Sequence, residues 1–95
     1  MNTRQIPVAL FRLGRIVATP NALGELSQQD ILGAIKRHQA GDWGDVDEHG
    51  RQANDRALTD GTRLFSVYRS VNGMRFWVIT EADRSATTVL LPENY

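Results

Sequence analysis

The dipeptide Asn72-Gly73 stands between two runs, Arg63–Val71 and Met74–Glu81, in which large apolar side chains recur at a spacing of two. Asn and Gly both tolerate the backbone that a tight turn demands, so this is the strongest short-range hairpin signal in the chain. A two-residue turn pairs Val71 with Met74 and, working outward, sets Arg69, Val67 and Phe65 against Phe76, Val78 and Thr80 on one face. The other face then pairs Ser70 with Arg75, Tyr68 with Trp77, Ser66 with Ile79 and Leu64 with Glu81. Both faces carry large apolar groups. The stretch Ala82-Asp83-Arg84-Ser85 turns the chain into a last strand, Thr87–Leu91, which Pro92 ends. Three C-terminal strands therefore form an antiparallel meander.

Helix signals precede it. Gly14–Ala18 reads as a short strand, with Val8–Leu13 as its candidate extension, and Thr19-Pro20 caps and opens a turn of helix reaching Leu23, limited by Gly24. Ser27 caps the best helix, accepting from the amide of Asp30, with Leu26 stapled onto Ile31. Its buried stripe reads as Ile31, Leu32 and Ile35. Lys36, Arg37 and His38 fall in the last turn, where the helix dipole favours cations, and Gly41 stops it. Asp45 with Glu48 reads as a second capping box, and Asp47 adds charge to the first turn of a helix running to about Leu58. The apolar face of that helix is thin: Val46, Ala53, Ala57 and Leu58. The order β, short α, α, α, β, β, β defines one α+β domain over residues 1–95.

Composition bounds what such a domain does. Eleven Lys and Arg balance eleven Asp and Glu, which removes the long-range attraction to phosphate of a typical nucleic-acid binder, so direct nucleic-acid binding is not expected. The balance is uneven: residues 1–37 carry +3, residues 42–60 carry −4 and residues 61–95 carry +1. Cysteine is absent, which excludes disulfides and a thiol nucleophile. No apolar run approaches membrane-span length, and the N-terminus lacks a secretory signal pattern, so the expected location is the cytoplasm.

Motif chemistry is sparse. Asp42, Asp45, Asp47 and Glu48 crowd seven residues around Trp43, but their spacing is not that of a calcium loop, and capping roles account for them without a metal. His38 and His49 make no metal-ligand pair, and the expected role of His38 is that of a helix-terminal cation. Glu81, Asp83, Arg84 and Ser85, with Thr87 and Thr88 beyond, form the densest polar cluster. Pairing of Glu81 with Arg84 or Arg63 is its simplest account. No catalytic residue, metal site or cofactor is assigned. One sheet face remains, Leu64, Tyr68, Trp77 and Ile79, and it is either closed by the N-terminal segment or offered to another chain. As an interface it takes the aromatic pair as its hot spot and the acids Asp42, Asp45, Asp47 and Glu48 as its rim, facing a protein partner or closing a symmetric homodimer.

Three segments carry a resemblance: Leu13 to Leu23 (LGRIVATPNAL), Arg37 to Asp45 (RHQAGDWGD) and Trp77 to Tyr95 (WVITEADRSATTVLLPENY). Together they resemble a family of small bacterial proteins of plasmids and other mobile elements, usually labelled plasmid-related proteins or type I restriction subunit M. A chain of 95 residues without a cofactor-binding loop is not a methyltransferase. The resemblance implies a mobile-element setting and assigns no catalytic residues. The expected function is a non-enzymatic accessory protein, a counter-defence inhibitor acting on a CRISPR or restriction complex by protein binding. The element order is also similar to RelE-type toxins, ribosome-dependent ribonucleases. That alternative places Arg63, Arg69, Arg75 and Arg84 along RNA, with Tyr68 or His38 as acid or base.

Overall fold

In the computed structural model, which describes residues 9–95, the first regular element is β1, Arg15–Ala18. Residues 9–13 are not strand, so the candidate extension fails where it is described, and Val8 lies outside the described residues. Thr19 then accepts from the amide of Ala22 and opens α1, Pro20–Glu25, which runs through Gly24. Ser27 caps α2, Gln28–Gln39, by accepting from Asp30 N at 3.0 Å. The cap of α3, Glu48–Asp60, is Asp47 and not Asp45: its Oδ1 accepts from Gly50 N at 2.7 Å. Asp45 lies too early for that bond and reaches Arg69. The strands β2 (Leu64–Arg69), β3 (Arg75–Thr80) and β4 (Ala86–Leu90) follow, then a 3₁₀ turn at Pro92–Asn94.

The four strands form one sheet in the order β1-β4-β3-β2. The meander is antiparallel, and β1 joins it parallel to β4. Three helices pack on one side. Ala22, Leu26, Ala34 and Ile35 meet Tyr68, Phe76, Val78 and Val89 in the main core, and Ala57 meets Leu64 and Trp43 in a second. The core stripe of α2 is Ala34, Ile35 and His38; Leu32, assigned to it from helical spacing, is 54% exposed. On α3 the buried residues are Asn54 and Ala57.

The hairpin is offset by one residue from the expected register. Ser70 N donates to Met74 O and Gly73 N to Ser70 O, both at 2.8 Å, so the loop holds three residues, Val71-Asn72-Gly73, with Gly73 at φ +82°. Asn-Gly suits this turn as well, since a type I turn followed by a left-handed Gly is the usual three-residue hairpin loop. Tyr68 therefore pairs with Phe76, Val67 with Trp77 and Phe65 with Ile79. Directly paired residues share a face and alternate residues oppose, so the expected patch is divided. Leu64 and Tyr68 lie beneath the helices with Ser66, Val78 and Thr80, whereas Trp77 and Ile79 face outward with Phe65 and Val67.

Asn54 seals the β2 edge. Its Nδ2 donates to Phe65 O at 2.7 Å and its Oδ1 accepts from Phe65 N at 3.0 Å, in place of the missing strand. Asn54→Ala strands both backbone groups at a buried position and is expected to cost about 2 kcal/mol, read from urea unfolding; a loss within ~0.5 kcal/mol contradicts that role.

Candidate functional site

Among the described residues no α-helix covers the outer sheet face. Its aromatic rings interlock edge to face: Phe65 and Trp77 at 4.9 Å between centroids, Trp77 and Tyr95 at 5.5 Å. Tyr95 follows the final 3₁₀ turn, and its hydroxyl accepts from Arg63 Nη1 at 2.7 Å. The ring thus spans the interval from Trp77 to Arg63, in which Ile79 lies buried, while Tyr95 itself remains 69% exposed. Arg63 also reaches Glu81 at 3.5 Å, one of the two pairings expected for that acid. At the other end Arg69 and Arg75 are direct cross-strand neighbours, with Arg69 held by Asp45 at 3.1 Å. Of the expected patch only Trp77 and Ile79 lie on this face; Phe65 and Tyr95, which the sequence reading did not include, join Trp77 there, with arginines at the border.

The acidic stretch is occupied by its own chain. Asp42 accepts from Arg37 Nε at 2.7 Å and Nη2 at 3.2 Å, which holds its carboxyl below the usual range. Asp47 caps α3, and Glu48 pairs with Arg51. Trp43 is buried and donates from Nε1 to Asp55 at 3.0 Å. Among the described residues no group of His, Asp and Glu is arranged to hold a metal ion. The polar turn is likewise knit together. Asp83 Oδ1 accepts from Ser85 N at 2.9 Å, and the left-handed Arg84 donates to the carbonyls of Thr62, Glu81, Ala82 and Ala57. Arg84 fastens the end of α3 to the β3–β4 turn.

His38 is not a surface cation. Its ring is 0% exposed and sits in a chain of hydrogen bonds among residues from α2 and three strands. Nδ1 lies 2.5 Å from Ser66 Oγ and Nε2 lies 2.8 Å from Thr80 Oγ1, which is 2.7 Å from Thr87 Oγ1. Thr87 donates to the Leu13 carbonyl at 2.7 Å, and this end bond sets the direction of all the others. With its one proton spent, Thr87 accepts from Thr80, Thr80 accepts from Nε2–H, and Nδ1 accepts from Ser66. The imidazole is neutral, with its pKa pushed down to about 4 by burial and by nearby Arg84. Tyr68, also buried, donates to Asp42 O at 2.6 Å, and burial pushes its pKa up to about 12. Both side chains are buried and Arg84 donates to backbone carbonyls; the ribonuclease alternative names these three together with Arg63, Arg69 and Arg75.

A second surface escaped the sequence reading. Ile16, Val17, Leu23 and Leu32 are between 39% and 62% exposed, and all four line one groove of about 510 Å³ between β1, α1 and α2. Helical spacing assigned Leu32 to the core. The available signal was the excess of aliphatic residues on two short elements with no opposing layer.

No protein-family model, curated protein or solved structure matches the chain. Among the described residues no helix is long and apolar enough to cross a membrane.

Proposed function

We propose that the chain is a non-enzymatic accessory protein of mobile elements that inhibits a host defence complex, CRISPR or restriction, by binding one of its protein components in the cytoplasm. The observation that carries the binding role is the helix-free sheet face, where Phe65, Trp77 and Tyr95 form a continuous aromatic surface within reach of solvent. Tyr, Trp and Arg are the side chains that most often dominate binding energy, and here they are neighbours. The setting and the target class rest on the resemblance of the three motif segments. Arg63, Arg69 and Arg75 at the border orient the surface toward an acidic patch on the partner.

The test is capture of partners by the tagged full chain from a lysate of a host that has both systems, followed by mass spectrometry. Recovery of a named defence component is expected, and Tyr95→Ala and Arg75→Glu should each lower it at least ~10-fold, equivalent to about 1.4 kcal/mol, with unchanged melting. Recovery of no defence component overturns the inhibitor reading, and undiminished recovery by both variants moves the interface elsewhere.

A further inference from the structure

The two edges of the sheet are treated differently. At the β2 edge, Phe65 is satisfied by Asn54, while Val67 N donates to Trp43 O at 3.1 Å and accepts at its carbonyl from Asp45 N at 2.7 Å. At the other edge, Arg15 N donates to Ser85 O at 2.9 Å and Thr19 N to Val89 O at 3.0 Å, so the odd-numbered residues of β1 face β4. Parallel pairing then turns the N–H and C=O of Ile16 and Ala18 outward, and among the described residues no strand pairs with them. The strand Arg15–Ala18 is short and opens on one charge, Arg15, but Ile16, Val17 and Ala18 carry neither Pro nor charge to block pairing.

We infer that β1 pairs antiparallel with β1 of a second copy of this chain, about a two-fold axis at Val17, joining two four-stranded sheets into one of eight strands. The register follows from the residues. Ile16 set against Ala18 of the second copy satisfies all four outward groups of each strand. A shift one way places Ala18 opposite Gly14, which leaves the extended path at φ +63°. A shift the other way places Ile16 opposite Pro20, which has no N–H and opens α1. Registers offset by a single residue oppose outward-facing and inward-facing groups and form no ladder. In the remaining register Arg15 falls opposite Thr19, so like charges do not meet.

Side chains fit the same register. Ala18 packs on the helix side, and Ile16 shares its face. The isoleucine of the second copy therefore projects beside the small Ala18 into the groove walled by Leu23, Leu26, Ile31 and Leu32. Val17 meets its own copy on the outer side. One four-residue strand with its flanking side chains makes a contact toward the low end of specific interfaces, so dissociation in the micromolar range is expected. The surface is separate from the aromatic face, and either proposal can fail alone.

The chain has no cysteine, so Val17→Cys introduces a single thiol. Opposed residues of a non-hydrogen-bonded antiparallel pair lie about 4.5 Å apart at Cα, within disulfide reach. Mild oxidation of Val17→Cys is expected to give a covalent dimer, and Thr88→Cys, one strand inward on the same face, is not. Sedimentation should show the parent chain as a dimer at micromolar concentration. Val17→Asp, which opposes two carboxylates at the axis, should raise Kd more than ~10-fold without lowering the melting temperature of the dilute monomer. A parent chain monomeric throughout, a dimer indifferent to Val17→Asp, or cross-linking no better at 17 than at 88 would each overturn the inference.

Discussion

Lowering the pH from 7 to 4 should remove about 3 kcal/mol of stability through His38 alone. The imidazole titrates near 6.5 in the unfolded chain and near 4 in the folded one, because burial among Ser66, Thr80 and Thr87 disfavours the cation and Arg84 opposes it further. A depressed pKa means the unfolded state binds the extra proton first. The contribution is thus complete above about pH 6.5 and is lost progressively as pH falls to about 4. The geometry adds to this: protonation at Nδ1 creates a second ring donor, so Ser66 must turn its own proton away and accept instead of donate. For a domain of this size the loss is a large part of total stability. Urea unfolding at several pH values, for the parent and His38→Gln, isolates the effect from the carboxylates, whose losses the two share. The amide of Gln both accepts and donates but does not titrate, so the difference between the two proteins should shrink by about 3 kcal/mol from pH 7 to 4. A difference constant across that range shows that His38 takes up its proton equally in both states.

Gly44→Ala is expected to cost at least about 3 kcal/mol, and Gly73→Ala only about 1–2 kcal/mol, although both glycines have positive φ. A Cβ on Gly73 meets nothing within 4 Å, so only the left-handed backbone penalty applies. A Cβ on Gly44 falls 1.9 Å from the Val67 carbonyl oxygen and 2.8 Å from the Tyr68 ring. Backbone cannot yield there without opening the bridge between Gly44 and Val67. The bonds of Val67 to Trp43 and Asp45 would then lengthen, Trp43 would shift from its core, and the Asp42 carbonyl would move off the Tyr68 hydroxyl. Equal losses for the two variants, from urea unfolding at one pH, would remove the steric part of this account.

Much of the fold was legible because many of its instructions are local. Ser27 to Asp30 and Thr19 to Ala22 are bonds across three residues, so the caps of α2 and α1 can be read from residue type and spacing. The Asn-Gly hairpin and the meander were readable for the same reason, whereas for Glu81 the sequence offered both Arg84 and Arg63 and folding selects Arg63. The cap of α3 was misplaced by two residues because Asp45 and Asp47 both offer a carboxylate before the same helix. Asp45 is drawn away by Arg69, a residue of β2.

The sequence by itself determined the α+β class, the element order and the starts of α1 and α2, since these follow from spacing of polar and apolar residues within a few positions. Only the tertiary structure decided which side of each strand is inside. Asn-Gly serves two-residue and three-residue loops, and apolar groups on both faces leave the alternation unable to choose; helices packing on Tyr68, Phe76 and Val78 make the choice. It also decided that His38 is neutral, because its partners Ser66 and Thr80 stand 28 and 42 residues away. The two edges of the sheet were settled at the same level. The β2 edge closes on Asn54 and Gly44, and the outer edge of β1 meets no strand among the described residues, because sealing an edge needs backbone groups that are remote in sequence and adjacent only after folding.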